Sequence, residues 1–128
     1  MSAIEGIGQI AITTDNLKRS KQFYTQVLGL PLLFDVGEHL SFLQCGDIRL
    51  MLTTLQGDKA EHHTSVIYYK VADIEQMFIN LNAKQVVIER EPALAATLDD
   101  HQLWLGFIRD PDNHLVGIMA EKPLKYGA

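Results

Sequence analysis

One order of elements occurs twice in this chain, and that repeat constrains the fold more than any other feature. Ile7 to Thr14 alternates with period two and is rich in β-branched residues, so it predicts a strand. A helix follows, capped by Asp15 or Asn16, whose short side-chain oxygens accept from first-turn N–H groups. Leu17, Ser20, Phe23, Tyr24, Val27 and Leu28 fall on one helical face, and Gly29 ends it. Three strands come next: Leu32 to Val36, Leu40 to Cys45 and Ile48 to Thr54. The Gly46-Asp47 turn makes the last two a hairpin.

After a polar stretch the order returns. Thr64 to Val71 predicts a strand, and Asp73 caps a helix with Ile74, Met77, Phe78 and Leu81 on one face. Gln85 to Glu89 reads as a strand and Arg90 to Asp100 as an irregular stretch containing Pro92. Leu103 to Arg109 and Leu115 to Ala120 complete the set. They are joined by Asp110-Pro111-Asp112-Asn113, a turn in which Asn113 takes the left-handed conformation. Overlaying Asn16 on Asp73 gives an offset of 57, which places Gln9 on Val66. Identity between the halves is poor, but the order of elements agrees, as in a duplication. A half of roughly 60 residues buries too little surface to be comfortable alone. The reading is one domain over 128 residues: module one at about 5–55, a linker at 56–62, module two at about 63–121 and a loose tail at 122–128.

Composition removes whole classes of function. Hydrophobic residues at 47% and charged residues at 21% exclude disorder. No apolar run approaches the roughly 18 residues of a membrane span, and the first residues do not read as a signal peptide. Acidic residues outnumber basic ones, 16 to 11, so a phosphate backbone is repelled on average. Neither nucleic acid nor membrane is an expected partner. Lys18, Arg19 and Lys21 read as a solvated helix face. Cys45 is the lone cysteine, which excludes an intrachain disulfide and a cysteine-rich zinc site, and the expected compartment is the cytoplasm.

Two segments carry a family resemblance. Leu17-x-x-Ser20-x-x-Phe23-Tyr24-x-x-Val27-Leu28-Gly29-Leu30 resembles the first-helix signature of the vicinal oxygen chelate superfamily. That superfamily includes glyoxalase I, bleomycin-resistance proteins, extradiol dioxygenases and methylmalonyl-CoA epimerase. Phe107 to His114 resembles its second-module turn, with Asn113 where glycine is usual. The likeness covers about residues 5 to 121. It implies an α+β fold of two βαβββ modules, forming curled antiparallel sheets around a cavity. In enzymatic members that cavity carries a divalent metal held by His, Glu or Gln.

Carried onto this chain, the four metal-ligand positions fall on Gln9, Met51, Val66 and Gly117. A thioether is a poor ligand for such metals, valine has no donor and glycine has only backbone. His63 and His114 lie an odd step from Val66 and Gly117 and face away in an unbroken strand. Glu121 and His62 have the right parity but sit about 13 Å along the strand. Glu61-His62-His63 reads as an adventitious surface group at most. The expectation is therefore no metal and no cofactor, with metal-dependent glyoxalase or dioxygenase activity disfavoured.

By the same overlay the cavity face carries Gln9, Ala11, Arg49, Met51, Val66, Tyr68, Leu115 and Gly117, with Trp104 beside the last strand. Such a lining suits a small organic ligand. Tyr68 offers stacking and a hydrogen bond, Arg49 a partner for an anion, and Gly117 leaves room. The alternative is that Met51, Val66 and Tyr68 fill the space as core. The face of Trp104 stays open, because both registers of Leu103 to Phe107 are apolar. Cys45 reads as an inert thiol, and Asp99-Asp100-His101 as a solvated loop. The leading expectation is a metal-free, bleomycin-resistance-like protein that sequesters a small aromatic or anionic ligand as a homodimer. The net charge alone leans mildly toward a cation. The alternatives are a glyoxalase-related lyase, isomerase or dioxygenase with an atypical or absent metal site, and a scaffold with a filled cavity.

Overall fold

The computed structural model describes residues 3, 5, 7–54 and 66–124. The chain divides into two compact units, residues 1–64 and 65–128. Glu61, His62, His63 and the linker at 56–62 lie outside the described residues.

The first unit holds β1 (Gln9–Thr14), α1 (Leu17–Gln22), a π-helical turn (Phe23–Val27), β2 (Leu32–Val36), β3 (Leu40–Cys45) and β4 (Ile48–Thr54). The second holds β5 (Ile67–Lys70), α2 (Ile74–Ala83), β6 (Val87–Thr97), β7 (His101–Arg109) and β8 (Leu115–Pro123). Each unit forms a four-stranded sheet, ordered β1-β4-β3-β2 and β5-β8-β7-β6. The fold is α+β. The sheets are mixed rather than purely antiparallel, because β1 runs parallel to β4 and β5 parallel to β8. The helix between the first two strands makes this parallel crossover; a tight hairpin permits only antiparallel neighbours.

Local chemistry sets these elements. Asn16 is the cap of α1, its Oδ1 accepting from the Arg19 N–H at 3.1 Å. Asp73 caps α2 in the same way, accepting from Gln76 N–H at 3.0 Å. The expected continuous first helix instead widens into a π turn. There the Leu28 N–H reaches back to the Phe23 carbonyl, and Phe23 and Tyr24 are both buried. Gly46, at a φ of 58°, makes the β3–β4 turn, and Asn113, at 67°, takes the expected left-handed conformation.

Strand extents differ from the reading most in β6, β5 and β8. Arg90 to Asp100 is not irregular, because β6 continues through Thr97. Its pairing with β7 shifts between Ile88 and Arg90, between Arg90 and Ala93, and between Leu94 and Ala96. As an edge strand, β6 tolerates Pro92 and those bulges. β5 is shorter than expected, beginning at Ile67. β8 runs on to Pro123, into the expected tail, because it pairs with β7 back to His101.

Alternation gives each sheet a helix-covered face and an open face. In the first unit Ile12, Leu43, Leu50 and Leu52 are buried on the covered side. In the second, Ile108, Val116, Ile118 and Ala120 are buried with Ile74, Phe78 and Leu81 of α2. No helix among the described residues is long and apolar enough to cross a membrane.

A polar clasp ties β2 to its neighbours. The Ser41 hydroxyl donates to Asp35 Oδ1 at 2.6 Å, and Lys21 pairs with the same carboxylate at 3.3 Å. The Ser41 hydrogen bond, helped by Lys21, holds the Asp35 carboxyl below its ordinary value of 3.8. A carboxyl lowered on folding adds stability above its unfolded value and loses it as pH falls through the folded one. The clasp therefore weakens below about pH 3.8. The urea midpoint of the wild type should fall more steeply between pH 4 and 2 than that of Asp35→Asn. Parallel curves would contradict the clasp.

Candidate functional site

The open face of the first unit is built from β1, β4, β3 and β2. Register sets Gln9 beside Arg49 and Ala11 beside Met51, with Phe42 opposite Met51 and Phe34 opposite Phe42. The side chains then interlock. Arg49 Nε donates to Gln9 Oε1 at 2.9 Å, and Gln9 Nε2 donates to Met51 Sδ at 3.6 Å. The Arg49 guanidinium lies over the Phe42 ring, 5.3 Å from its centroid. Phe34 stacks on Phe42 at 4.7 Å and 28°. Phe34 remains 47% exposed, so this aromatic pair is a surface and not a core. The group of Gln9, Arg49 and Met51 read from the sequence is thus brought together.

Phe34 and Phe42 were absent from that reading, although a signal for Phe42 was present. Counting outward from the Gly46-Asp47 turn places Phe42 opposite Met51.

The open face of the second unit is built around Gly117, which lies between Tyr68 of β5 and Phe107 of β7. Gly117 was expected to leave room, but the Tyr68 ring takes that space. A Cβ at Gly117 would meet Tyr68 Cδ2 at 2.5 Å. Tyr68 packs edge-on to Phe107 at 5.8 Å and is still 46% exposed. Val66 stands one residue before β5 and is exposed. Leu115 opens β8, opposite Arg109.

Arg90 adds a feature that the reading missed. Paired with Phe107 across the strands, its guanidinium lies 6.0 Å from that ring's centroid. It was overlooked because its segment read as irregular.

Trp104 does not join this face. It pairs with Ala120, which is buried on the side covered by α2. Its Nε1 donates to Gln102 Oε1 at 3.2 Å, and Lys122 Nζ stands 4.2 Å above its ring while pairing with Glu75 of α2. Alternation decides the face: Trp104, Gly106 and Ile108 point one way, and Leu105 and Phe107 the other.

Charged groups gather at the far end of the second open face. His101 Nδ1 lies 2.6 Å from Asp100, and its Nε2 lies 3.1 Å from Glu121. Glu121 also pairs with Lys70 at 2.5 Å. The Lys70 contact holds the Glu121 carboxyl below its ordinary value, and the hydrogen bond with His101 does the same for Asp100. His101 is therefore engaged rather than solvated, as its loop reading had it. Cys45 closes β3, and burial pushes its thiol up, which keeps it protonated and a poor nucleophile.

Metal-type donors converge at one place among the described residues, the β7–β8 turn. There Asp110, Asp112 and His114 bring ligand atoms within 4.8 Å of one another. Asp110 Oδ1 accepts from the Asp112 and His114 N–H groups at 2.9 and 2.8 Å, which is the work of closing the turn.

Comparison with known proteins agrees with this architecture. The model of the glyoxalase/bleomycin resistance protein/dioxygenase superfamily matches residues 6–118. An uncharacterized protein, YraH of Bacillus subtilis (strain 168), is 27% identical, with 86% of this chain and 94% of its own length covered. A lactoylglutathione lyase from Agrobacterium tumefaciens superposes with a TM-score of 0.73 at 18% identity, over 93% of this chain and 96% of its own. A virulence protein from Salmonella typhimurium gives 0.75 at 17%, over 93% and 98%. At such identities the structures speak for the fold alone. With the family model spanning most of its length, this chain belongs to the glyoxalase/bleomycin resistance protein/dioxygenase superfamily.

Proposed function

We propose that this protein binds and sequesters a small organic ligand without a metal, in the manner of the bleomycin-resistance branch of its superfamily. The observation that carries the reading is the open face of the first unit. Phe34 and Phe42 form a stacked, half-exposed platform with a guanidinium laid on it. Apolar surface with a few placed polar groups is what small-molecule recognition needs.

The donor sets do not fit a catalytic dication. In the first unit the relevant pair is Gln9 and Met51, an amide and a thioether, and the amide is already engaged with Arg49 and Met51 itself. In the second it is Val66 and Gly117, with a tyrosine ring lying against the glycine. Hard and borderline dications select carboxylate, imidazole or several oxygens, which neither pair supplies. No step of the proposed function passes through a metal. The reading includes a cytoplasmic homodimer; the homodimer rests on the family resemblance and the compartment on the lone cysteine.

Thermal unfolding in the presence of a chelator tests this against a panel of small aromatic compounds. A ligand present at 100 times its Kd stabilises the folded state by about 2.7 kcal/mol, a shift of several degrees. At least one compound should produce such a shift, and Phe42→Ala should diminish it. If no compound stabilises the protein, or if stabilisation requires added metal, the reading fails.

A further inference from the structure

We propose that each unit carries its own site for a planar aromatic carboxylate, read by a guanidinium beside a phenylalanine ring: Arg49 at Phe42 in the first and Arg90 at Phe107 in the second. This rests on the small-molecule reading above and names the chemical class that the faces select.

The two pairs occupy matching places. Ala11, Met51 and Phe42 stand in register across the first sheet, and Tyr68, Gly117 and Phe107 stand in the same register across the second. Phe42 and Phe107 are thus equivalent positions. Their arginines come from different strands, β4 and β6, so the arrangement is not a simple copy of one duplicated residue. The two guanidinium groups reach equivalent rings by separate routes.

The charges are also uncommitted. Among the described residues, Lys21, Lys70, Arg109 and Lys122 each sit in an ion pair with a carboxylate. Arg49 and Arg90 make no such pair. Arg49 spends only Nε, on the neutral Gln9 amide. Standing 5.3 and 6.0 Å from the ring centroids, the two guanidinium groups keep N–H groups for a ligand carboxylate, which accepts two parallel hydrogen bonds. Beside it, the Phe34–Phe42 platform and the exposed Tyr68 ring offer π surfaces. Charge complementarity and flat apolar surface together describe an aryl carboxylate. In a protein of net charge −5, an anion needs such a local cation to bind at all.

Isothermal titration in chelator at low salt would compare three probes: 2-naphthoate, 2-naphthalenemethanol and cyclohexanecarboxylate. The first should bind at least tenfold more tightly than the other two. Arg49→Gln and Arg90→Gln should each remove the tight 2-naphthoate site of its own unit, halving the stoichiometry, and leave 2-naphthalenemethanol binding unchanged. Both arginines are exposed, so circular dichroism should show both variants folded. Equal binding of the alcohol and the carboxylate, or variants that bind 2-naphthoate as the wild type does, would overturn this inference and leave small-molecule binding standing. Failure of all three probes would overturn it too. An empty aromatic panel beside that failure would bring down the broader reading as well.

Discussion

Replacing Phe78 with alanine is expected to destabilise the protein by about 3–5 kcal/mol, the range for emptying a buried aromatic site. Phe78 is 2% exposed and sits on the buried face of α2, with Ile74 and Leu81 one turn to either side. Its ring reaches the sheet through a gap that Gly106 leaves open. A Cβ on Gly106 would stand 2.4 Å from Phe78 Cζ and 3.2 Å from the Arg90 carbonyl oxygen. Gly106→Ala alone should therefore cost about 1–3 kcal/mol through overpacking. Once Phe78→Ala has removed the ring, the same change should cost far less. The urea midpoints of the two single variants and the double variant read this coupling. Additive losses would show that the ring and the glycine do not share the space.

Tyr24→Ala should cost a similar amount in the first unit. Tyr24 is 1% exposed, lies in the π turn and meets Phe23 edge-on at 5.2 Å. Its carbonyl accepts from the Leu30 N–H, joining the helix to the chain that leads into β2. The predicted loss is about 3–5 kcal/mol. Tyr24→Phe keeps the ring and separates packing from the hydroxyl. A loss under about 1 kcal/mol for Tyr24→Ala would mean that the π turn is not part of the core.

The repeated order was legible in the sequence because period-two strands and helical stripes are written in side-chain type. Asn16, Asp73 and Asn113 marked their caps and turn through short side chains that bond the local backbone. What was not legible depends on pairing. β6 carries Pro92 and three register shifts, which break alternation, so its length and its residue Arg90 were hidden. The face of Trp104 could not be read where Leu103, Trp104 and Leu105 are all apolar; pairing with Ala120 decides it. The π turn depends on how Phe23 and Tyr24 pack, which helical spacing alone does not encode. Of the candidate site, Gln9, Arg49 and Met51 were readable together, because β1 and β4 alternate cleanly and share one register. The filling of the Gly117 position by Tyr68 was not readable, since a glycine reads as space until its neighbour is placed.

Ligand binding without a metal is tested by metal titration of chelator-stripped protein. Thermal unfolding would be followed with Ni²⁺, Zn²⁺, Co²⁺, Mn²⁺ and Fe²⁺, beside Gln9→Ala as the control. No stabilising shift is expected, or one that Gln9→Ala leaves unchanged. A shift present in the wild type and lost in Gln9→Ala would contradict metal-free binding and place a metal on the face where Gln9 meets Arg49 and Met51.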